Sequence, residues 1–150
     1  MPKVFTSKTQ KIGKLAEDAV AAYLVKKGFK VVEQNYTCKW GEIDIIAEDV
    51  ARVTHFVEVK AVSRATLDEK VTAVEGLYRP EDNMHPNKVK RLKTTVQTYL
   101  MSVKNEGKRQ EGESKGHDEK DFLWQFDLIV VYIDRSSKKM LIKPLWNIIL

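Results

Sequence analysis

Asp44, Glu58 and Lys60 have the residue types and spacing for metal chemistry. All three fall in the run from Trp40 to Lys60, W-G-E-I-D-I-I-A-E-D-V-A-R-V-T-H-F-V-E-V-K. Two carboxylates held close together repel, and a hard divalent cation is the usual reason to bring them together. An ammonium two residues along would sit beside that cation's water. The same residues also suit a plain solvated strand face with a same-side ion pair, and short motifs of this kind often occur by chance. On these residues alone both readings stand.

To converge, these side chains need a hairpin. Gly41 to Ala47 begins with polar–apolar alternation, and Val53 to Ala61 is rich in β-branched and aromatic residues, so both read as strands. The polar residues Glu48 to Arg52 connect them, most simply as an antiparallel pair. Strict alternation puts Phe56, Glu58 and Lys60 on one face, and sets Glu42 and Asp44 together opposite Ile43 and Ile45.

Ahead of the hairpin, Ile12, Leu15, Ala16, Ala19, Val20, Tyr23 and Leu24 recur at helical spacing, with Ser7 or Thr9 as cap and Gly28 as the stop. Glu17 borders that apolar stripe: it either reaches a cleft against the sheet or lies on the helix flank. Phe29 to Thr37 reads as a first strand, with Asn35 marking its end.

Beyond the hairpin, the stretch from Val62 to Met84, with Arg64, Lys70 and Arg79, reads as a long irregular loop, either a functional lid or a mobile segment. His85-Pro86 opens a second helix with apolar positions at Val89, Leu92, Val96, Tyr99, Leu100 and Val103. Lys88, Lys90, Arg91 and Lys93 crowd its first turns, either as a solvated face or as phosphate contacts. Lys104 to Asp121 contains no apolar residue and is expected to be a mobile loop. Leu123 to Ile133, carrying Asp127, reads as a buried strand that forms a hairpin with Met140 to Pro144, followed by an apolar tail.

The 150 residues suit one domain with a real core, and 43% hydrophobic with 31% charged residues describes an ordinary globular composition. The net charge of +5 favours an anionic partner only weakly. Cys38 is the sole cysteine, so no intrachain disulfide can form and a reducing, cytoplasmic location is expected. It reads as a small buried hydrophobe. His55, His85 and His117 lack zinc spacing. The lysine-bearing N-terminus has no apolar core of a secretory signal, and no apolar run reaches membrane-span length.

Four blocks then stand in order: G-K-L-A-E-D-A-V-A-A-Y-L-V-K-K-G-F (Gly13 to Phe29), Asn35-Tyr36, G-E-I-D-I-I-A (Gly41 to Ala47) and F-V-E-V-K (Phe56 to Lys60). Together they resemble the YraN-like family of small, uncharacterised bacterial proteins. Asn87 to Leu100 and F-D-L-I-V (Phe126 to Val130) extend the similarity over nearly the whole chain. Two positions depart from that pattern: Val62 and Gln125 stand where relatives usually carry arginine.

The resemblance implies an α/β restriction-endonuclease-like fold of the PD-(D/E)XK group, similar to archaeal Holliday-junction resolvases. Its mixed sheet of about five strands would be flanked by helices in the order α-β-β-β-α-β-β. It implies a metal-dependent nuclease acting on DNA, or alternatively a non-catalytic nucleic-acid-binding or protein-interaction module retaining that fold. Asp44 and Glu58, with the Val59 carbonyl, would bind Mg²⁺ or Mn²⁺. Lys60 would orient the attacking water, and Glu17 would reach the same cleft. Lys88, Lys90, Arg91 and Arg64 would meet the nucleic acid. No membrane partner is expected, and the sequence leaves a homodimer open.

Overall fold

The computed structural model describes residues 8–64, 85–110 and 123–148. Helix α1 spans Lys8–Lys26, strand β1 Lys30–Cys38, β2 Gly41–Glu48 and β3 Thr54–Arg64. Helix α2 follows at Pro86–Gln110, then β4 at Trp124–Asp134 and β5 at Met140–Leu145. The five strands form one sheet in the order β1-β2-β3-β4-β5. Every neighbouring pair is antiparallel except β3 and β4, which run parallel over Thr54↔Trp124 to Arg64↔Asp134. A parallel pair needs a crossover, and the segment containing α2 supplies it. The chain is therefore α/β with a mixed five-stranded sheet, in the expected α-β-β-β-α-β-β order.

Each helix covers one face of the sheet through its apolar stripe. Ala16, Val20 and Leu24 of α1 are fully buried against Ile45, Ala47, Val57, Ile129 and Val131. Leu92, Val96 and Tyr99 of α2 pack on Ile43, Ile46, Phe56 and Phe126. With both faces covered, β4 is buried from Phe126 to Asp134, which is why it reads as a continuous apolar run. Gly28 closes α1 at φ 97°, with the Phe29 N–H reaching the Leu24 carbonyl at 3.0 Å and the Gly28 N–H the Val25 carbonyl at 3.0 Å. That left-handed cap is open to glycine without steric cost.

Five expectations are corrected. Asn35 does not end β1; it adopts φ 55° inside a strand that continues to Cys38, which is half-buried rather than buried. Residues 104–110 are not loop but the last turns of α2. Lys, Glu, Arg and Gln are good helix formers, so their propensity extends a helix already anchored by its packed turns. Val62 to Arg64 continue β3 rather than opening a loop, because the β4 ladder runs on to Asp134. Strict alternation in β2 also fails, since Ile43 packs under α2 but Ile45 under α1. Residues 65–84 and 111–122, and with them Lys70, Arg79 and His117, lie outside the described residues.

Candidate metal and phosphate site

The break in alternation falls at Asp44. The β2–β3 ladder runs from Glu48↔Thr54 to Ile45↔Val57 and stops there. At the next step the Asp44 carboxylate takes over, its Oδ2 accepting the Val59 N–H at 2.8 Å. A side chain thus replaces a strand carbonyl as acceptor, and the freed backbone lets Asp44 turn toward α1. There the charge of Glu17 on α1 acts on it, and Asp44 and Asn35 in turn act on the Glu17 carboxyl. Asn35, between the Gln34↔Ile45 and Tyr36↔Ile43 pairs, holds a left-handed backbone, a conformation that asparagine tolerates better than most residues.

Burial pushes the Asp44 carboxyl up from its usual 3.8 to about 7; the Val59 N–H opposes this, while Glu17, Glu58 and Glu42 add to it. Burial also raises Glu17, with Lys14 opposing and Asp18 reinforcing. The charges that act on Asp44 most strongly are those of Glu17, Glu58 and Glu42, all acidic. A bound cation would relieve that repulsion.

The other expected site residues lie on β3 and α2. Glu58 shares its face with Phe56, toward α2, and its Oε1 stands 2.7 Å from Lys88 Nζ in the first turn of that helix. Lys60, Lys90 and Arg91 are exposed, and Val59 is half-buried. Arg64 closes β3, but its side chain lies outside the described residues. Asp44 and Val59 are therefore in direct contact, whereas Glu17 and Glu58 act on Asp44 through their charge, Glu58 being held by Lys88. Among the described residues no three His, Cys, Asp or Glu side chains form a ready-made metal cage. Mg²⁺ does not demand one, because it keeps several waters and takes one or two carboxylates.

Sequence reasoning missed a second polar centre. His55 is buried with Nδ1 2.6 Å from Asp127 Oδ2 and Nε2 2.9 Å from Asp49 Oδ2. Burial disfavours the charged ring, but hydrogen bonds and charge from Asp127 and Asp49 outweigh it and raise its pKa. Asp127 Oδ1 also accepts from the Gln125 amide and the Asn147 N–H, both at 2.8 Å. Asp49, itself in the β2–β3 turn, accepts from the N–H groups of Ala51 and Val53. This network ties the hairpin turn to the central strand and the C-terminal segment, on the same sheet face as α1. The available signal was Asp127 itself, a lone carboxylate in an apolar strand that needs a buried partner. Gln125, one of the two departures from the family pattern, is spent on that carboxylate.

An α/β sheet whose hairpin bends to present a carboxyl pair, with a basic helix alongside, is the class of protein defined by these observations. The sequence profile of the uncharacterised protein family UPF0102, the YraN family, matches residues 16–131, and the chain belongs to that family. It is 34% identical over 119 residues to a UPF0102 protein of Campylobacter concisus, covering 79% of this chain and 81% of the relative. A UPF0102 protein of Mycobacterium sp. strain JLS is 33% identical over 127 residues, 84% of this chain and 76% of the relative. One from Thermotoga petrophila is 36% identical over 94 residues, 63% and 75% respectively. Among the described residues no helix is long and apolar enough to cross a membrane.

Proposed function

We propose that this protein is a metal-dependent nuclease that hydrolyses phosphodiester bonds in DNA, on branched or single-stranded substrates. The observation that carries the reading is Asp44: a half-buried carboxyl pushed up to about 7, bonded by the Val59 N–H and acted on by the charges of Glu17, Glu58 and Glu42. The Val59 N–H fixes its orientation, so one oxygen is held while the carboxyl stays directed at Glu17. Asp44, with Glu58 and the Val59 carbonyl, would hold Mg²⁺ or Mn²⁺, and Glu17 would complete the acidic lining. Bound there, the ion would lower the pKa of a water ligand and offset charge on the scissile phosphate.

The chain's own residues have the remaining work. Lys60, exposed two residues beyond Glu58, would donate to the attacking water and to the phosphate oxygens as negative charge grows. Lys88, Lys90 and Arg91 would receive the flanking phosphates. Cleavage of labelled branched or single-stranded DNA in Mg²⁺ or Mn²⁺ should be lost in Asp44→Ala and in Lys60→Ala. Wild-type protein inert on linear, flapped and branched DNA in both metals would overturn the reading.

One observation favours the alternative, a binding module that keeps the fold without turnover. Glu58 is already neutralised by Lys88 at 2.7 Å. DNA binding that is steeply salt-dependent, metal-independent and unchanged in Asp44→Ala would establish that module instead.

A further inference from the structure

The turn joining β1 to β2 carries Lys39 and Trp40 at its tip. Trp40 is 49% exposed, a large apolar surface to leave in water. The other two tryptophans have aromatic neighbours: Trp146 stacks on Phe29 at 6.0 Å, and Trp124 meets Phe56 edge-on at 5.7 Å. The ring contact of Trp40 is with a cation instead, Lys39 Nζ lying 5.1 Å from its centroid. Trp40 is the most exposed of the three, at 49% against 40% and 39%.

Its surroundings suit a polyanion with exposed bases. The turn is seated against α2, so closely that a Cβ on Gly41 would lie 3.1 Å from Thr95 Oγ1. Arg91 is one helical turn before Thr95, whose hydroxyl donates to the Arg91 carbonyl. Lys39, Lys90, Arg91 and Lys93 are all exposed. Along β2, Trp40 stands about 13 Å from Asp44 at ~3.3 Å per residue, a reach of a few nucleotides. A flat indole beside Lys39, on a turn seated against a helix that carries exposed cations, has the two components of single-strand recognition.

From this geometry we infer that Trp40 is a stacking platform for an unpaired nucleobase, which makes DNA with a single-stranded or frayed segment the substrate class of this site. The inference rests on the reading that the site takes DNA. A paired base already has its faces covered by its neighbours, so duplex DNA gains nothing from the platform unless it is opened.

The test is fluorescence anisotropy of labelled oligo-dT and of a blunt hairpin duplex, in EDTA so that cleavage does not enter. Trp40→Ala should weaken oligo-dT binding roughly tenfold, the scale of one lost base stack, with duplex binding within about twofold of wild type. Trp40→Phe should keep most of the single-strand affinity, and Lys90→Glu with Arg91→Glu should weaken both probes. Equal melting temperatures of wild type and Trp40→Ala confirm that the turn variant folds; should they differ, Trp40→Phe against Trp40→Leu makes the same comparison. Equal oligo-dT affinity in wild type and the non-aromatic variant, or wild-type binding to neither probe, would overturn the platform. Trp40-dependent binding with no cleavage in any metal would uphold it while removing the nuclease reading.

Discussion

Lys88 Nζ lies 2.7 Å from Glu58 Oε1, joining the first turn of α2 to the middle of β3. Both side chains are partly exposed, at 36% and 24%, so the pair adds at most about 1 kcal/mol to stability. Its larger consequence is electrostatic. Lys88 neutralises the carboxylate that a divalent ion at Asp44 would also use, so such an ion would compete with Lys88.

Removing that competitor is the first prediction. Lys88→Met should tighten Mn²⁺ binding about two- to fivefold, the factor equivalent to a pair of this strength. Isothermal titration with Mn²⁺ measures it directly. Unchanged or weaker binding would take Glu58 out of the ligand set.

Asp44 gives the protein a specific pH dependence. Its folded pKa of about 7 is above its usual 3.8, so the native state holds the proton more tightly than the unfolded chain. The stability tied to the protonated carboxyl is complete below about pH 4 and lost as pH rises through 7. Asp44→Asn keeps an acceptor for the Val59 N–H but cannot ionise. It should match wild type near pH 4 and exceed it by about 2 kcal/mol above pH 8 in urea unfolding, a figure set below the full shift because the neighbouring carboxyls titrate with it. Added Mg²⁺ should raise the wild-type melting temperature at pH 8 and leave Asp44→Asn unmoved.

His55 and Asp127 are the structural counterpart. Asp127→Ala would leave a buried imidazolium short of one partner and strip the acceptor from Gln125 and the Asn147 N–H. A loss on the order of 3–5 kcal/mol is expected from denaturant midpoints. With a raised folded pKa, the His55 contribution is complete below about pH 6.5 and fades as pH climbs through the folded value. That slope should flatten in Asp127→Ala. A loss under 1 kcal/mol would mean the network is not an anchor.

Asn35 separates backbone from side chain. Asn35→Ala places a Cβ-bearing residue without a compensating polar group at φ 55°, and should cost about 1–2 kcal/mol. Asn35→Gly relieves the backbone and loses only the contact to Glu17, so it should stay within about 0.5 kcal/mol of wild type. Because that contact lowers the Glu17 pKa, both variants should shift the Glu17 carboxyl upward, as read by carboxyl NMR titration. An equal loss in both variants would place the cost in the side chain alone.

Most of the frame was legible in local patterns. The stripes of α1 and α2, the glycine stop at Gly28, the proline start at Pro86 and the apolar run of β4 are each signalled within a few residues of where they act. The hairpin that carries Asp44 and Glu58 was legible for the same reason, as were the lysines of the basic helix.

The partners of those side chains were decided by the fold. Period-two counting places Asp44 and Glu58 together, yet the ladder stops at Ile45, Asp44 turns to Glu17, and Glu58 finds Lys88 thirty residues further on. His55 and Asp127 are 72 residues apart, and their 2.6 Å contact exists only because β3 and β4 pair in one register. Propensity and periodicity are local quantities, so the sequence by itself determined which segments are helix or strand and which residue types they carry. Hydrogen-bond partners and shifted pKa values depend on strand register and helix docking, long-range choices that only the tertiary structure makes.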